Sequence, residues 1–337
     1  MSRKIGYAAS KEYNAICDLL PSNIGRATIT DCLVKAFGVD TACELIHPRF
    51  ASKEQLCRYH DQAYISYLLQ DSEDANETED GKSLEQRFGL EFDCPNFEGI
   101  DKYIQAVAGT TLACVRYLQG STNIAVNWNG GRHHAGSDHA SGFCYINDIT
   151  SLINCRLRKS FDKVMYIDFD LHHGDGVEQA FAYSNRVLTA SLHRFDRGFF
   201  PGTGNIKDIG KGKGRGYSFN IGLRPGLSDR SLKKIVSDIL HPAFTQFQPN
   251  VLVIQCGADG LARDRMHEWN LTVQGYSLVV SDIVSTWASK IPVLLLGGGG
   301  YNSTDSARLW TSILARLTLG NDIMTGTVFK LSTKPDQ

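Results

Sequence analysis

Residues 164–176 read V-M-Y-I-D-F-D-L-H-H-G-D-G, and this stretch limits what the chain can become more than any other. The apolar run 164–167 has the length of a buried strand and is too short for a buried helix. It ends in Asp168, Asp170, His172, His173 and Asp175, with Gly174 and Gly176 to turn the chain. Five ionisable side chains in eight residues, straight after a buried strand, are costly to desolvate without strong partners. In extended backbone, side chains two apart share a face, so Asp168, Asp170 and His172 point one way. Carboxylates beside an imidazole suit a divalent metal such as zinc. A salt-bridged strand end with capping carboxylates is the plainer alternative. A metal site accounts better for so much charge.

Composition removes several classes of function. The 337 residues are ample for a large core. A net charge of −1 argues against a nucleic-acid binder that relies on a basic surface. Nine cysteines, with no C-x-x-C pair, suggest neither a disulfide framework nor a thiolate zinc knuckle. No signal peptide is recognised, and no apolar run approaches the ~18 residues of a membrane span. The expectation is an intracellular protein away from membranes. Asn-x-Thr triplets at Asn76, Asn270 and Asn302 then read as chance matches.

Periodicity predicts a strand at 4–8 and helices over 12–20, 27–37, 53–59 and 61–69, with Ser52 and Asp61 as N-caps. Residues 71–80 carry six acids and no base, the composition of a solvated, mobile loop. A helix fills 100–118. From there strands (123–127, 163–169, 187–193, 217–221, 251–256, 292–296) alternate with helices (146–158, 177–183, 229–247, 272–289, 305–319). A loop over 194–216 holds seven glycines around F-F-P-G-T-G. Such alternation with continuous apolar strands predicts an α/β fold, a central mostly parallel sheet covered by helices on both faces. With no linker or repeat, 1–337 reads as a single domain with a short tail at 321–337.

In open α/β sheets ligands bind beyond the carboxyl ends of the strands. Strand 123–127 leads to His133 and His134, strand 163–169 to Asp170 and His172, strand 251–256 to Asp259, and strand 292–296 to Tyr301. Asp170, His172 and Asp259 give three ligands and leave a position open, the layout of a catalytic zinc. His133 and His134 can supply acid–base chemistry, with Asp168 and Asp175 as candidates to fix their tautomers. Tyr301, after four glycines, can donate to an oxyanion. Each has an ordinary reading too: surface histidines, a helix cap at Asp259, an aromatic lid, a glycine cradle for phosphate. Their common position at strand ends favours function.

D-L-H-H-G-D-G, G-G-x-H-H-A…A-S-G-F-C-Y-x-N-D-I, F-F-P-G-T-G, Q-C-G-A-D and L-G-G-G-G-Y-N together resemble the zinc-dependent histone deacetylases of class I, in register from about residue 5 to 320. S-L-H-R-F-D-R-G-F-F-P-G-T-G and Met266 soon after Asp259 are similar to the type-8 branch. The resemblance implies an arginase/deacetylase-like fold and hydrolysis of acetyl-lysine in histones and other proteins, in nucleus and cytoplasm. It implies zinc, or iron(II) in its place, on Asp170, His172 and Asp259. His134 becomes the general base and acid, His133 its electrostatic neighbour, Asp168 and Asp175 their orienting carboxylates, and Tyr301 the oxyanion donor. Gly142, Phe143, Phe200 and Met266 would wall an acyl-lysine tunnel, Asp93 would hold substrate backbone at the rim, and Arg26 would line an inner cavity. Potassium would sit at Asp168, Asp170, His172, Ser191 and Leu192, and again at Phe181, Ser184, Val187 and Tyr217.

Three residues depart from the class pattern: Arg132 where an apolar residue lines the inner cavity, His139 in place of a Glu, and Gly216 in place of an aromatic. The alternatives are an acetylpolyamine deacetylase, a ureohydrolase such as arginase, and a non-catalytic acyl-lysine-binding scaffold. Two metals would need more carboxylates than Q-C-G-A-D-G offers, and an intact Tyr301 argues against a scaffold.

Overall fold

In a computed structural model of the chain, residues 3–70, 83–152 and 160–320 are described. The acidic stretch 71–80, most of the far half of the expected helix 146–158 and the tail 321–337 lie outside them.

Eight strands join one sheet: β1 (Ile5–Ala8), β2 (Glu44–Ile46), β3 (Ile124–Asn127), β4 (Val164–Asp168), β5 (Val187–Arg194), β6 (Ser218–Leu223), β7 (Val251–Gln255) and β8 (Val293–Leu296). Their order is β2-β1-β3-β8-β7-β4-β5-β6. Every pairing is parallel, so the sheet is wholly rather than mostly parallel. Strand β2 is the one that periodicity misses. It is three residues long at the sheet edge, and only Ile46 is buried, so no apolar run marks it.

The two faces follow from the side-chain period of two. In β4, Val164 and Tyr166 enter a core with Ala113, Val115 and Leu118 of helix Ile100–Leu118 and Val177 of helix Asp175–Phe181. Met165 and Ile167 enter the opposite core, with Tyr276 and Val280 of helix Val273–Asp282 and Trp310 and Ile313 of helix Ser303–Leu319. Each such side chain, fully buried, contributes about 1.5–3 kcal/mol. Both faces are covered, which is why the strands are apolar on both sides.

Ser52 and Asp61 cap their helices as expected, Ser52 within a capping box completed by Gln55. The helix expected over 229–247 is continuous but widens to a π turn at Val236–Leu240, just before Pro242, which has no N–H to donate. Trp310 stacks on Trp128 at 5.8 Å and 5°, and its indole N–H donates to Cys256 O at 2.9 Å. That pins helix Ser303–Leu319 under the carboxyl ends of β3 and β7.

Candidate metal centre and active site

Strands β3, β8, β7 and β4 are consecutive neighbours in the sheet. Their carboxyl ends therefore meet, and the four segments singled out in the sequence converge there. Asp170, His172 and Asp259 are buried, and one donor atom of each lies within 4.8 Å of the others. His172 Nδ1 is 3.2 Å from Asp170 Oδ1 and 3.0 Å from Asp259 Oδ2.

The remaining carboxylate oxygens are tied to the frame. Asp170 Oδ2 accepts from Gly299 N and Gln255 Nε2, both at 2.8 Å. Asp259 Oδ1 accepts from Leu171 N at 2.9 Å. Each carboxylate spends one oxygen on position and turns the other to the centre. Burial, and then the neighbouring Asp170 charge, push the Asp259 carboxyl up to about 7. Burial acts to lower His172, but its hydrogen bonds to Asp170 and Asp259 hold it at about 10. Two buried carboxylates and an imidazole on one point form a donor set that fits a divalent cation. Among the described residues no other acid, His or Cys group is so disposed, which speaks for one metal and against a dinuclear ureohydrolase site.

The glycines make this approach possible. A Cβ on Gly299 would lie 2.3 Å from Asp259 Oδ2, and one on Gly297 2.0 Å from Trp128 O.

The adjacent histidines divide by environment. His133 Nδ1 donates to Asp168 Oδ2 at 2.8 Å, and Asp168 is also held by the Tyr166 hydroxyl at 2.7 Å. His134 Nδ1 donates to Asp175 Oδ1 at 2.7 Å. Burial opposes charge on His133, but Asp168 and Asp170 raise it to about 9. Burial, and then the charge of His133, lower His134. One ring is held charged and its neighbour neutral, with centroids 3.9 Å apart. His173, the other histidine of the opening stretch, turns away to Thr203 Oγ1 at 2.8 Å and Glu178 Oε2 at 3.3 Å. It is structural.

Residues 20–317 match the histone deacetylase domain. The chain belongs to the histone deacetylase family. It is 43% identical over 322 residues to histone deacetylase 8 of Xenopus tropicalis, covering 94% of this chain and 85% of that protein. It is 40% identical over 326 residues to histone deacetylase 8 of Danio rerio, covering 96% and 84%. To histone deacetylase 1 of Homo sapiens it is 41% identical over 292 residues, covering 86% of this chain and 59% of that protein. Among the described residues no helix is long and apolar enough to cross a membrane.

The other residues expected from the histone deacetylase pattern gather around the same centre. Phe200 packs its ring edge-on to His134 at 5.0 Å, and Phe143 packs likewise on Tyr301 at 5.6 Å. Phe199 stacks on His172 at 5.4 Å, a wall that the sequence pattern does not point to. Gly142 holds φ +54, and a Cβ there would meet His134 Cδ2 at 2.4 Å. Asp93 Oδ2 accepts from Gly142 N at 2.8 Å. Arg26 is buried on the inner side, where Nη1 donates to Gly300 O at 2.8 Å and the guanidinium covers the Trp310 ring. Burial raises Tyr301 well above an ordinary phenol, so its hydroxyl keeps its proton.

For the potassium residues, Asp168 pairs in register with Ser191, next to Leu192. Ser184 N donates to Phe181 O at 2.8 Å and Thr189 N to Tyr217 O at 3.0 Å, where helix Asp175–Phe181 gives way to β5 beside β6. His139 is exposed and bonded to Asp138.

Sequence reasoning missed Asp264. Its buried carboxylate accepts from Tyr301 N at 2.6 Å, Asn302 N at 3.0 Å and Met266 N at 3.0 Å, joining the expected tunnel wall to the expected oxyanion donor. Placed between two arginines in A-R-D-R-M, it reads as a surface acid. Gln255 was also missed, although an amide inside a buried strand was a signal.

Proposed function

We propose that the chain is a metal-dependent lysine deacetylase that hydrolyses the acetyl amide of N6-acetyl-lysine in histone tails and other proteins and releases acetate. The observation that carries this reading is the convergence of Asp170, His172 and Asp259 beside a neutral His134, a protonated Tyr301 and the rings of Phe143 and Phe200. The metal is zinc, with iron(II) as its substitute. When bound at these three residues, it supplies Lewis-acid polarisation of the acyl carbonyl and acidifies water beside it.

The chain's own residues do the rest. His134 takes the proton of the attacking water at Nε2, while Asp175 fixes the Nδ1–H tautomer. A C–O bond forms, the carbonyl oxygen becomes an oxyanion, and the Tyr301 hydroxyl donates to it, a contribution of about 3–4 kcal/mol. His134 then delivers the proton to the lysine nitrogen as the C–N bond breaks. His133, kept cationic by Asp168, stabilises negative charge next to the reacting atoms. Gly142, Phe143, Phe200 and Met266 form the tunnel. Its rings suit a neutral acyl-lysine stem and disfavour the ammonium product, whose desolvation is costly. Asp93, with one oxygen on Gly142 N, turns the other to the substrate backbone at the rim. Arg26 lines the inner end.

Potassium binds at Asp168, Asp170, His172, Ser191 and Leu192, and at Phe181, Ser184, Val187 and Tyr217, largely through backbone oxygens. In this reading 1–337 is one catalytic domain, working in nucleus and cytoplasm without direct nucleic-acid or membrane contact. The test is metal analysis paired with turnover of an acetyl-lysine peptide. Wild type should hold one divalent metal and release acetate, and Tyr301→Phe should keep the metal and lose about 10²–10³ in kcat. A metal-loaded wild type that releases no acetate, or a Tyr301→Phe enzyme as fast as wild type, overturns the reading.

A further inference from the structure

We infer that Arg132 sets the acyl-chain selectivity of the site: the space it closes admits an acetyl group and rejects longer apolar acyl chains. This inference rests on the deacylation reading and concerns the same site. A cavity of about 10 Å³ is lined by His134, Asp170, Phe143 and Tyr301 together with Arg132 and Cys144. That is room for about one water molecule, and so for one methyl group. An acyl group whose carbonyl faces His134 and Tyr301 fills that space and leaves none for a longer chain.

Arg132 cannot easily give way. It is 5% exposed. Its backbone N–H donates to Asp148 Oδ1 at 2.8 Å and its Nη2 to Asn129 O at 3.2 Å. Asp148 is itself held by Thr111 Oγ1 at 2.7 Å and Gly131 N at 3.1 Å. The backbone behind is equally close, since a Cβ on Gly131 would stand 2.7 Å from Gly297 O. Arg26 occupies the same inner side through its bond to Gly300 O. Burial first, and the Arg132 charge second, push Arg26 down to about 10, so the two guanidinium groups share one desolvated region.

The Arg132 Nε has no hydrogen-bond partner among the described residues. A longer hydrocarbon chain would have to pack against a buried cation whose Nε–H already lacks a partner, which is unfavourable. An apolar side chain at 132 would receive the same atoms with a gain. Charge and volume therefore act in one direction.

The test uses one peptide sequence carrying acetyl-, butyryl- or octanoyl-lysine, with wild type, Arg132→Leu and Arg132→Met compared by kcat/KM and metal content. Wild type should favour acetyl over octanoyl by about a hundredfold or more. Both variants should keep their metal and shift that ratio toward octanoyl by about tenfold or more, the scale on which an apolar pocket tells one methylene from none. A wild type that cleaves octanoyl-lysine within tenfold of acetyl-lysine overturns the inference, and that result needs no variant to fold. So does an unchanged ratio in folded, metal-loaded variants. If wild type cleaves none of the three peptides, the deacylation reading itself fails, which is a different outcome from a flat chain-length profile.

Discussion

Asp264 Oδ2 accepts the backbone N–H of Tyr301 at 2.6 Å. The same carboxylate takes the N–H of Asn302 and, through its other oxygen, that of Met266. One buried acid therefore sets where a polyglycine turn ends and where the Met266 loop begins.

Removing that carboxylate should detune the Tyr301 hydroxyl without touching the metal. Asp264→Ala leaves three N–H groups without an acceptor, each worth about 1–3 kcal/mol if it stays buried. The expected result is a kcat lowered by about tenfold or more, an unchanged metal content, and a lower melting temperature. Asp264→Asn keeps one acceptor oxygen and should fall between Asp264→Ala and wild type in kcat, with KM nearly constant. A wild-type kcat in Asp264→Ala would show that Tyr301 is positioned by something else.

Metal removal should cost stability as well as activity. Asp170 Oδ1 and Asp259 Oδ2 both face His172 Nδ1 with their other oxygens committed to backbone and Gln255. Without a cation these buried carboxylates have protonated imidazoles as counter-charge, a weaker partner than a divalent metal. A ligand at a hundredfold excess over its Kd adds about 2.7 kcal/mol to the folded state. Chelation should thus abolish peptide turnover and lower the melting temperature, and zinc or iron(II) should restore both. Asp259→Ala should melt near the chelated wild type and gain nothing from added metal. If chelated and loaded wild type melt together, these three residues do not hold the metal.

The buried Asp–His–Asp cluster was legible because charge directly after a buried strand has few physical explanations, and Asp170, His172 and Asp259 each sit at such a point. Sheet order turned that suspicion into geometry, since β3, β8, β7 and β4 are neighbours although their sequence order is scrambled. The helix at Ile100–Leu118 is legible to the residue because its apolar periodicity runs unbroken for nineteen positions. Strand β2 escaped because an edge strand buries too little to leave a pattern. Asp264 escaped for a different reason: its role is to accept three N–H groups from segments that only the fold brings near, and nothing local distinguishes it from a solvated acid. Arg132 was visible as a departure, but its consequence depends on a cavity volume, which no spacing encodes.

His60 supplies a prediction on pH and stability. The ring is buried, with Nδ1 donating to Ser137 O at 3.2 Å and Nε2 accepting from Asn147 N at 2.9 Å. Asn147 in turn donates to His133 O and Ala135 O, so this neutral ring supports the loop that carries His133 and His134. Burial pushes His60 down to about 4. Its unfolded value is about 6.5, so between those two pH values the unfolded chain binds more protons than the folded one. Stability must then fall as pH drops through that window, by at most about 1.4 kcal/mol per pH unit from this group, and its contribution is constant above and below it. His193, also lowered to about 4 by burial, adds a share of its own. His60→Gln keeps an acceptor for Asn147 N and cannot be protonated. Urea denaturation of wild type and His60→Gln at steps from pH 7 to pH 4.5 should therefore show the wild type losing stability more steeply below pH 6.5, with the two curves parallel above it. Curves that stay parallel down to pH 4.5 would mean that His60 is protonated in the fold and that the Asn147 contact is not what holds the loop.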